Sequence, residues 1–473
     1  MTTSFDQIRR DLFDGVISCT QLIEHYLSNA KKFEYLNALT EIYEYEARER
    51  AKLIDQKIKS GDAGKLAGMV VTIKDVFCYQ DHKLQCSSHI LSDFESQFNA
   101  TAVERLINED AIIIGRTNCD EFAMGSSSEN SAFGPVKNGI APERVPGGSS
   151  GGAAVSVQMD MCKVALGSDT GGSVRQPAAF CGVIGFKPTY SRISRHGLVA
   201  YASSFDSVGV FGKDINAIAN VLEVIAGADD YDSTVSKKKV PKYTSIKGTK
   251  FNYTFAYIRE TLEHQGLSED IRSNFENDIQ SLKEAGQRVV PVEFPLLENI
   301  LPTYYILTWA EASSNLSRYD GVRYGYRTKG AHNIHSLYKK SRTEGFGEEV
   351  KRRIMLGTFV LSASYYDAYY VQAQKVRKLI RDATKNILSN FDFILTPTTP
   401  STAFKLGEHI SDPLQMYLAD LYTVQASIAG VPAVSLPAGT CSEGLPIGVQ
   451  VIADDFEEHK LLEFSEYFLN LNK

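Results

Sequence analysis

Between residues 74 and 173 lie three stretches whose side chains could do chemistry together: VTIKDVF around Lys74, VPGGSSGGAA around Ser149 and Ser150, and LGSDTGGSVRQPA around Ser173. A serine hydroxyl is a weak nucleophile and must give up its proton as it attacks. A lysine amine can take that proton once burial has lowered its pKa from about 10.4. Lys74 ends the apolar run GMVVTI and is followed by Val76 and Phe77, a setting that favours such burial. The oxyanion produced by attack on a carbonyl needs converging backbone N–H groups, and side chains crowd that approach. Gly171 and Gly172 remove the crowding just before Ser173, so Thr170, Gly171 and Gly172 are the candidate donors, with the start of a helix adding a favourable dipole. Taken singly, a Gly/Ser run is a flexible loop and a lysine at a strand end is a solvated charge. Their joint occurrence points to serine acyl transfer.

These residues also stand in a recognisable pattern. GGSSGG at Gly147–Gly152, followed by D-x-G-G-S-[IV]-R-x-P at Asp169–Pro177, resembles the hallmark of the amidase signature family, with Ser149 and Ser173 separated by 173 − 149 = 24 positions and the lysine in an I-K-D context. The resemblance implies Ser173 as the acylated nucleophile, Ser149 as the bridging serine in a cis peptide after Gly148, and Lys74 as terminal base. The three would share one hydrogen-bonded proton path, with Ser150 and Asp169 orienting the loops. It further implies an α/β/α sandwich whose mixed central β-sheet is covered by helices. One amidase domain over 1–473 is expected: N-terminal helices to about 60, a core at about 65–215 and a substrate-pocket half at about 250–473.

Outside that pattern, EASSNLSRYDGVRYGYR (311–327), EEVKRRIMLGTFVLSASYYDAYY (348–370), DPLQMYLADLYT (412–423) and AGVPAVSLPAG (429–439) are similar to one branch of the family, the A subunits of glutamyl-tRNA(Gln) amidotransferases. This narrower resemblance implies glutamine as the amide. Arg353 would clamp its α-carboxylate, Asp420 would receive its α-ammonium and Tyr304 would line the pocket. It also implies two partner subunits in a heterotrimer, with ATP, Mg and tRNA handled by a partner and no cofactor or metal in this chain. Glu-tRNA(Gln) is then the acceptor downstream, Asp-tRNA(Asn) remaining open, as does a free-standing amidase acting on small amides. Without the resemblance, Arg353 reads as a surface charge.

Other readings compete. Gly147–Gly151 also satisfies G-x-S-x-G, the nucleophile elbow of a different hydrolase class, which needs a strand before it and a histidine base; Glu143–Pro146 makes a poor strand. A phosphate-binding loop would need Lys directly after its second Gly, and none stands there. His332-x-x-His335 lacks the i,i+4 spacing and the carboxylate of a helical zinc site.

Positioning these loops requires alternating elements. Helical spacing marks Phe5, Ile8 and Leu12, then Leu22, Ile23, Tyr26 and Leu27 after Ser18 and Thr20, then EYEARERAKLIDQKIKSG up to Gly61. GMVVTI, AIIIG and KVALGSD read as strands, while TAVERLINED, NCDEFAM, GGAAVSVQMD and SVRQPAAF read as helical. Further on, YTFAYI, QRVVPVEF, FDFILTPTTP, VPAVSLPAG and LPIGVQVIA read as strands, with a helix over SEDIRSNFENDIQSLKEAG, a Tyr-rich helical region to about 390 and a last helix from Glu457. Such alternation predicts an α/β fold. Residues 230–250 read as a hinge or an excursion from the body.

Composition sets the outer limits. The 473 residues are 43% hydrophobic and 23% charged, which supports a sizeable core. A net charge of −7 offers no basic footprint for a phosphate backbone, and the cluster Lys237, Lys238, Lys239, Lys242, Lys247 and Lys250 reads as a solvated loop. Seven scattered cysteines without a C-x-x-C pair predict a reducing, cytoplasmic setting. The opening MTTSFDQIRRDLFDG has no leader-like apolar core, and no apolar run approaches the roughly 18 residues of a membrane span.

Overall fold

The computed structural model describes residues 4–245, 252–408 and 413–471, so Lys247, Lys250 and Asp412 lie outside the described residues. Eleven strands form one sheet: β1 (Leu39–Ile42), β2 (Val70–Lys74), β3 (Ile112–Thr117), β4 (Val164–Asp169), β5 (Ile184–Lys187), β6 (Ser207–Gly212), β7 (Thr254–Ile258), β8 (Arg288–Val292), β9 (Phe393–Pro397), β10 (Ala433–Thr440) and β11 (Pro446–Ile452). Their order is β1-β3-β2-β4-β6-β5-β10-β11-β9-β7-β8. β2 runs parallel to β3 and β4, and β7 runs parallel to β8 and β9; the remaining pairs are antiparallel, so the sheet is mixed.

The alternation of a pleated strand sorts side chains to two faces. Val71, Ile73, Val164 and Leu166 enter one buried cluster, while Val70 and Ala165 enter the other, which contains Ala47, Ala51 and Ile54 of the helix Glu44–Ser60 and Ala153 and Ala154 of the helix Gly151–Gln158. Both faces are covered by helices, giving the expected sandwich. Local signals explain several boundaries. Ser18 and Gln21 close a reciprocal capping box on the helix Cys19–Lys32, and the helix Glu44–Ser60 stops where Gly61 takes a φ of 82°.

Two readings need correction. NCDEFAM is not an α-helix: Glu121–Ala123 is a single 3-10 turn with Phe122 at φ 51° and Ala123 at φ 60°. Its geometry is set by Asp120, whose carboxylate accepts the backbone N–H groups of Ser128 (2.9 Å) and Asn130 (3.0 Å) and so draws the chain into a loop. The described part of 230–250 is not an excursion, because Arg192 donates to the carbonyls of Lys238 and Lys239 and Tyr243 is buried.

Candidate active site

β2 and β4 are parallel neighbours in register, Ile73 opposite Leu166, and both run out at the same end of the sheet. In open α/β sheets the carboxyl ends of such strands are where sites are built. Lys74 is the last residue of β2, and the loop carrying Ser173 follows Asp169, the last residue of β4. Ser150 precedes the helix Gly151–Gln158, which packs on the face of β2 to which Thr72 points, with Thr72 Oγ1 and Ser156 Oγ 3.0 Å apart.

Lys74 is fully buried. Its Nζ lies 2.7 Å from Ser149 Oγ, 2.9 Å from Ser150 Oγ and 2.9 Å from Ser168 Oγ. Among the described residues no carboxylate forms an ion pair with it. Burial pushes its pKa below the ordinary lysine value, against the opposing pull of surrounding acids that include Asp120, Asp206 and Asp169. Three hydroxyls around one nitrogen serve either protonation state: they accept all three N–H groups of an ammonium, or one of them turns to donate to the lone pair of an amine. Such a group can exchange a proton with a serine without leaving its place.

Ser149 is held by its backbone. The Gly148–Ser149 peptide is cis. Gly148 N–H donates to Gln176 Oε1 (2.9 Å), Ser149 O accepts from Asp120 N–H (3.2 Å), and Ser128 Oγ donates to Gly147 O (2.9 Å) while accepting from Gly151 N–H (2.9 Å). A side chain at residue 148 would collide with Asp120 Oδ2 and the backbone nitrogens of Ser127 and Ser128, so glycine is required there by close approach.

The nucleophile loop is clamped from both ends. Asp169, fully buried, accepts Arg175 Nε (3.1 Å) and Nη2 (2.8 Å) and Val174 N–H (3.1 Å); burial alone would raise its pKa, but Arg175 holds it below the usual carboxylate value. Thr170 Oγ1 donates to Asp206 Oδ1 (2.7 Å), and Thr423 Oγ1 donates to Gly171 O (2.6 Å). Gly172 has a φ of 140°, and a side chain on it would strike Thr423. The backbone N–H groups of Gly171, Gly172 and Ser173 donate to no described residue. Ser173 itself is 8% exposed, and its hydroxyl makes no hydrogen bond to a described residue. The chain of bonds from Lys74 therefore reaches Ser149 and Ser150 and stops short of Ser173.

Arg353, Asp420 and Tyr304 come to the same end of the sheet from the second half of the chain. Arg353 is 3% exposed, not a surface charge. Its Nε donates to Glu349 Oε1 (2.8 Å) and Nη1 to Tyr201 Oη (2.8 Å), and the rings of Tyr201, Tyr305 and Tyr417 surround its guanidinium. Its Nη2 donates to no described residue. Asp420 accepts from Ser126 Oγ (2.7 Å) and Tyr305 Oη (3.0 Å), and burial pushes its pKa up to about 7. Tyr304 packs on Gly171, where a side chain would meet its ring. Asp206 joins the two parts, holding Thr170 with one oxygen and the N–H groups of Tyr201 (2.9 Å) and Ala202 (3.0 Å) with the other.

Sequence reasoning passed over Ser168, Gln176, Asp120 and Asp206. Ser168 and Gln176 stand inside the quoted LGSDTGGSVRQPA stretch, where a polar residue at a buried strand end and an amide in a helix's first turn are the available signals. Among the described residues no histidine hydrogen-bonds Ser149, Ser150 or Ser173, residues 145–150 follow no strand, and no group of three His, Cys, Asp or Glu side chains could hold a metal ion.

A sheet of this order, with a glycine-lined serine loop and a buried lysine at its carboxyl edge, defines a class, and comparison agrees: the amidase family model matches residues 21–462, and the chain belongs to the amidase family. The A subunit of glutamyl-tRNA(Gln) amidotransferase from Chlorobium phaeobacteroides (strain BS1) is 49% identical over 467 residues, covering 97% of each chain. Its counterpart of the same name from Chlorobaculum tepidum is 47% identical over 474 residues, covering 99% of this chain and 98% of its own. Among solved structures, the A subunit of glutamyl-tRNA(Gln) amidotransferase from Thermotoga maritima superposes with a TM-score of 0.79 at 40% identity over 95% of this chain and 91% of that one. The peptide amidase from Stenotrophomonas maltophilia does so with a TM-score of 0.83 at 25% identity over 99% and 97%. The chain is thus an amidase-type enzyme with amidotransferase A subunits among its relatives.

Proposed function

We propose that this chain is the glutaminase subunit of a tRNA-dependent amidotransferase, acting through Lys74, Ser149 and Ser173. The observation that carries the reading is the fully buried Lys74 amine, bonded to hydroxyls and, among the described residues, paired with no carboxylate. In the reaction the Ser173 hydroxyl turns onto Ser149 as substrate binds, a tightening that catalytic hydrogen bonds commonly undergo on going from free enzyme to complex. Ser173 Oγ attacks the carboxamide carbon, its proton passes to Ser149 and that of Ser149 to the Lys74 amine. The backbone N–H groups of residues 170–173 receive the oxyanion. Collapse breaks the C–N bond, the proton returns through Ser149 to the leaving nitrogen, and ammonia departs from a Ser173 ester. Water, deprotonated along the same path, then releases the acid.

The relatives' name and the pocket support glutamine as substrate: Arg353 offers its free Nη2 edge to the α-carboxylate and Asp420 receives the α-ammonium, with Tyr304 walling the loop. Ammonia is then consumed by a partner that amidates Glu-tRNA(Gln), while service to Asp-tRNA(Asn) is left open by this reading. ATP, Mg and tRNA sit in that partner, and two partner subunits complete a heterotrimer. The test is purification with associated chains and measurement of ammonia release from glutamine. An isolated chain that hydrolyses assorted aryl and aliphatic amides as well as it does glutamine, with no partner, would replace this reading by that of a free-standing amidase.

A further inference from the structure

Three consecutive serines, Ser126, Ser127 and Ser128, form the loop that lies between the Gly147–Ser149 turn and the Arg353 pocket. The fold uses two of their hydroxyls. Ser126 Oγ donates to Asp420, and Gln176 Nε2 holds the Ser126 carbonyl (2.8 Å); Ser128 Oγ joins Gly147 and Gly151. The middle hydroxyl is different. Ser127 is fully buried, its Oγ has no hydrogen-bond partner among the described residues, and it lines a cavity of about 120 Å³ together with Glu129, Glu349, Arg353, Met416 and Tyr417. Leaving a buried hydroxyl unpaired costs about 1–3 kcal/mol, so an unused one in a cavity beside a cation marks a contact reserved for a ligand. Within the lining, Glu349 is already bonded to Arg353, and Tyr417 Oη donates to the same carboxylate (3.2 Å). Among the described residues, the Ser127 hydroxyl and Glu129 Oε2 are buried without a hydrogen-bond partner, and Arg353 Nη2 donates to no described residue. Arg353 Nη2 and the Ser127 hydroxyl are both donors on the lining of this one cavity, and a carboxylate, with two acceptor oxygens, is the ligand group that two donors suit.

We infer that Ser127 is a specificity-determining residue of this site, its hydroxyl donating to the α-carboxylate that Arg353 clamps. The inference rests on the glutamine reading above. It is tested with Ser127→Ala in the full-length chain with its partners, using glutamine, glutaramate (glutamine without its α-amino group) and 4-aminobutanamide (glutamine without its α-carboxylate). KM or Ki rises about tenfold for glutamine and glutaramate and stays within twofold for 4-aminobutanamide, while kcat for glutamine changes less than twofold. An equal rise for all three, a rise confined to 4-aminobutanamide, or no rise for glutamine overturns it. If Ser127→Ala does not fold, Ser127→Cys keeps the volume, weakens the donor and carries the same comparison. Failure of the underlying reading looks different: wild-type enzyme would then treat the three amides alike.

Discussion

Lys74 and Arg353 are the two buried cations on which the proposed chemistry depends, and the fold treats them in opposite ways. Lys74 is given hydroxyls and, among the described residues, no carboxylate. Arg353 is given the Glu349 carboxylate and three tyrosine rings. A group that must shed its proton is served by desolvation without an anion, since a counter-ion would hold the charged form in place. A group that must keep its charge is served by one, which offsets the cost of burying it. On the proposed chemistry the contrast separates a region for proton transfer from one for recognition, and Asp206 ties them together through Thr170 and Tyr201.

The sharpest way to break this contrast is to remove the reacting groups. Ser173→Ala lowers kcat by about 10³-fold or more, measured as ammonia release, and leaves the melting temperature unchanged because its hydroxyl bonds to no described residue. Lys74→Ala costs a comparable factor in kcat but also lowers stability by about 1–3 kcal/mol, because buried hydroxyls lose their common partner; a calorimetric scan tells the two variants apart. In the wild type, kcat/KM falls as the pH is lowered and the Lys74 amine takes up a proton, and this acid limb lies below the ordinary lysine value of about 10.4. On the recognition side the effects move to KM. Arg353→Lys raises KM for glutamine about 10- to 100-fold with a smaller change in kcat, since a compact ammonium cannot reproduce the planar guanidinium whose separate nitrogens reach Glu349, Tyr201 and a carboxylate in different directions. Asp420 must be ionised to receive an ammonium, so KM rises as pH falls through about 7; Asp420→Asn raises KM about tenfold and abolishes that dependence. Ser168→Ala, which removes one of three hydroxyls on Lys74, costs only a few-fold in kcat. An Arg353 variant that lost kcat without a change in KM would erase the distinction between the two regions.

The same division decides what could be read from the residues alone. The strands that end at Lys74 and Asp169 and the glycine loops are local, with spacing and side-chain size visible in a few consecutive residues. β1, β5 and β6 were not legible: β1 and β5 are only four residues long, and β5 and β6 owe their strand form to antiparallel neighbours, β10 and β4, that come from elsewhere in the chain. NCDEFAM has helical composition, but the bonds that turn it into a loop reach Ser128 and Asn130 from Asp120. The pocket is less legible still, because the burial of Arg353 depends on Tyr201, 152 positions away, and nothing in EVKRRIM announces it.

The Thr423 hydroxyl that fastens Gly171 belongs to a residue 252 positions further along. During synthesis the serine loops therefore emerge long before their latch. A polypeptide that stops short of residue 420 carries Lys74, Ser149 and Ser173 but neither Asp420 nor the fastening of the loop, so on the proposed chemistry a prematurely terminated product is expected to release no ammonia.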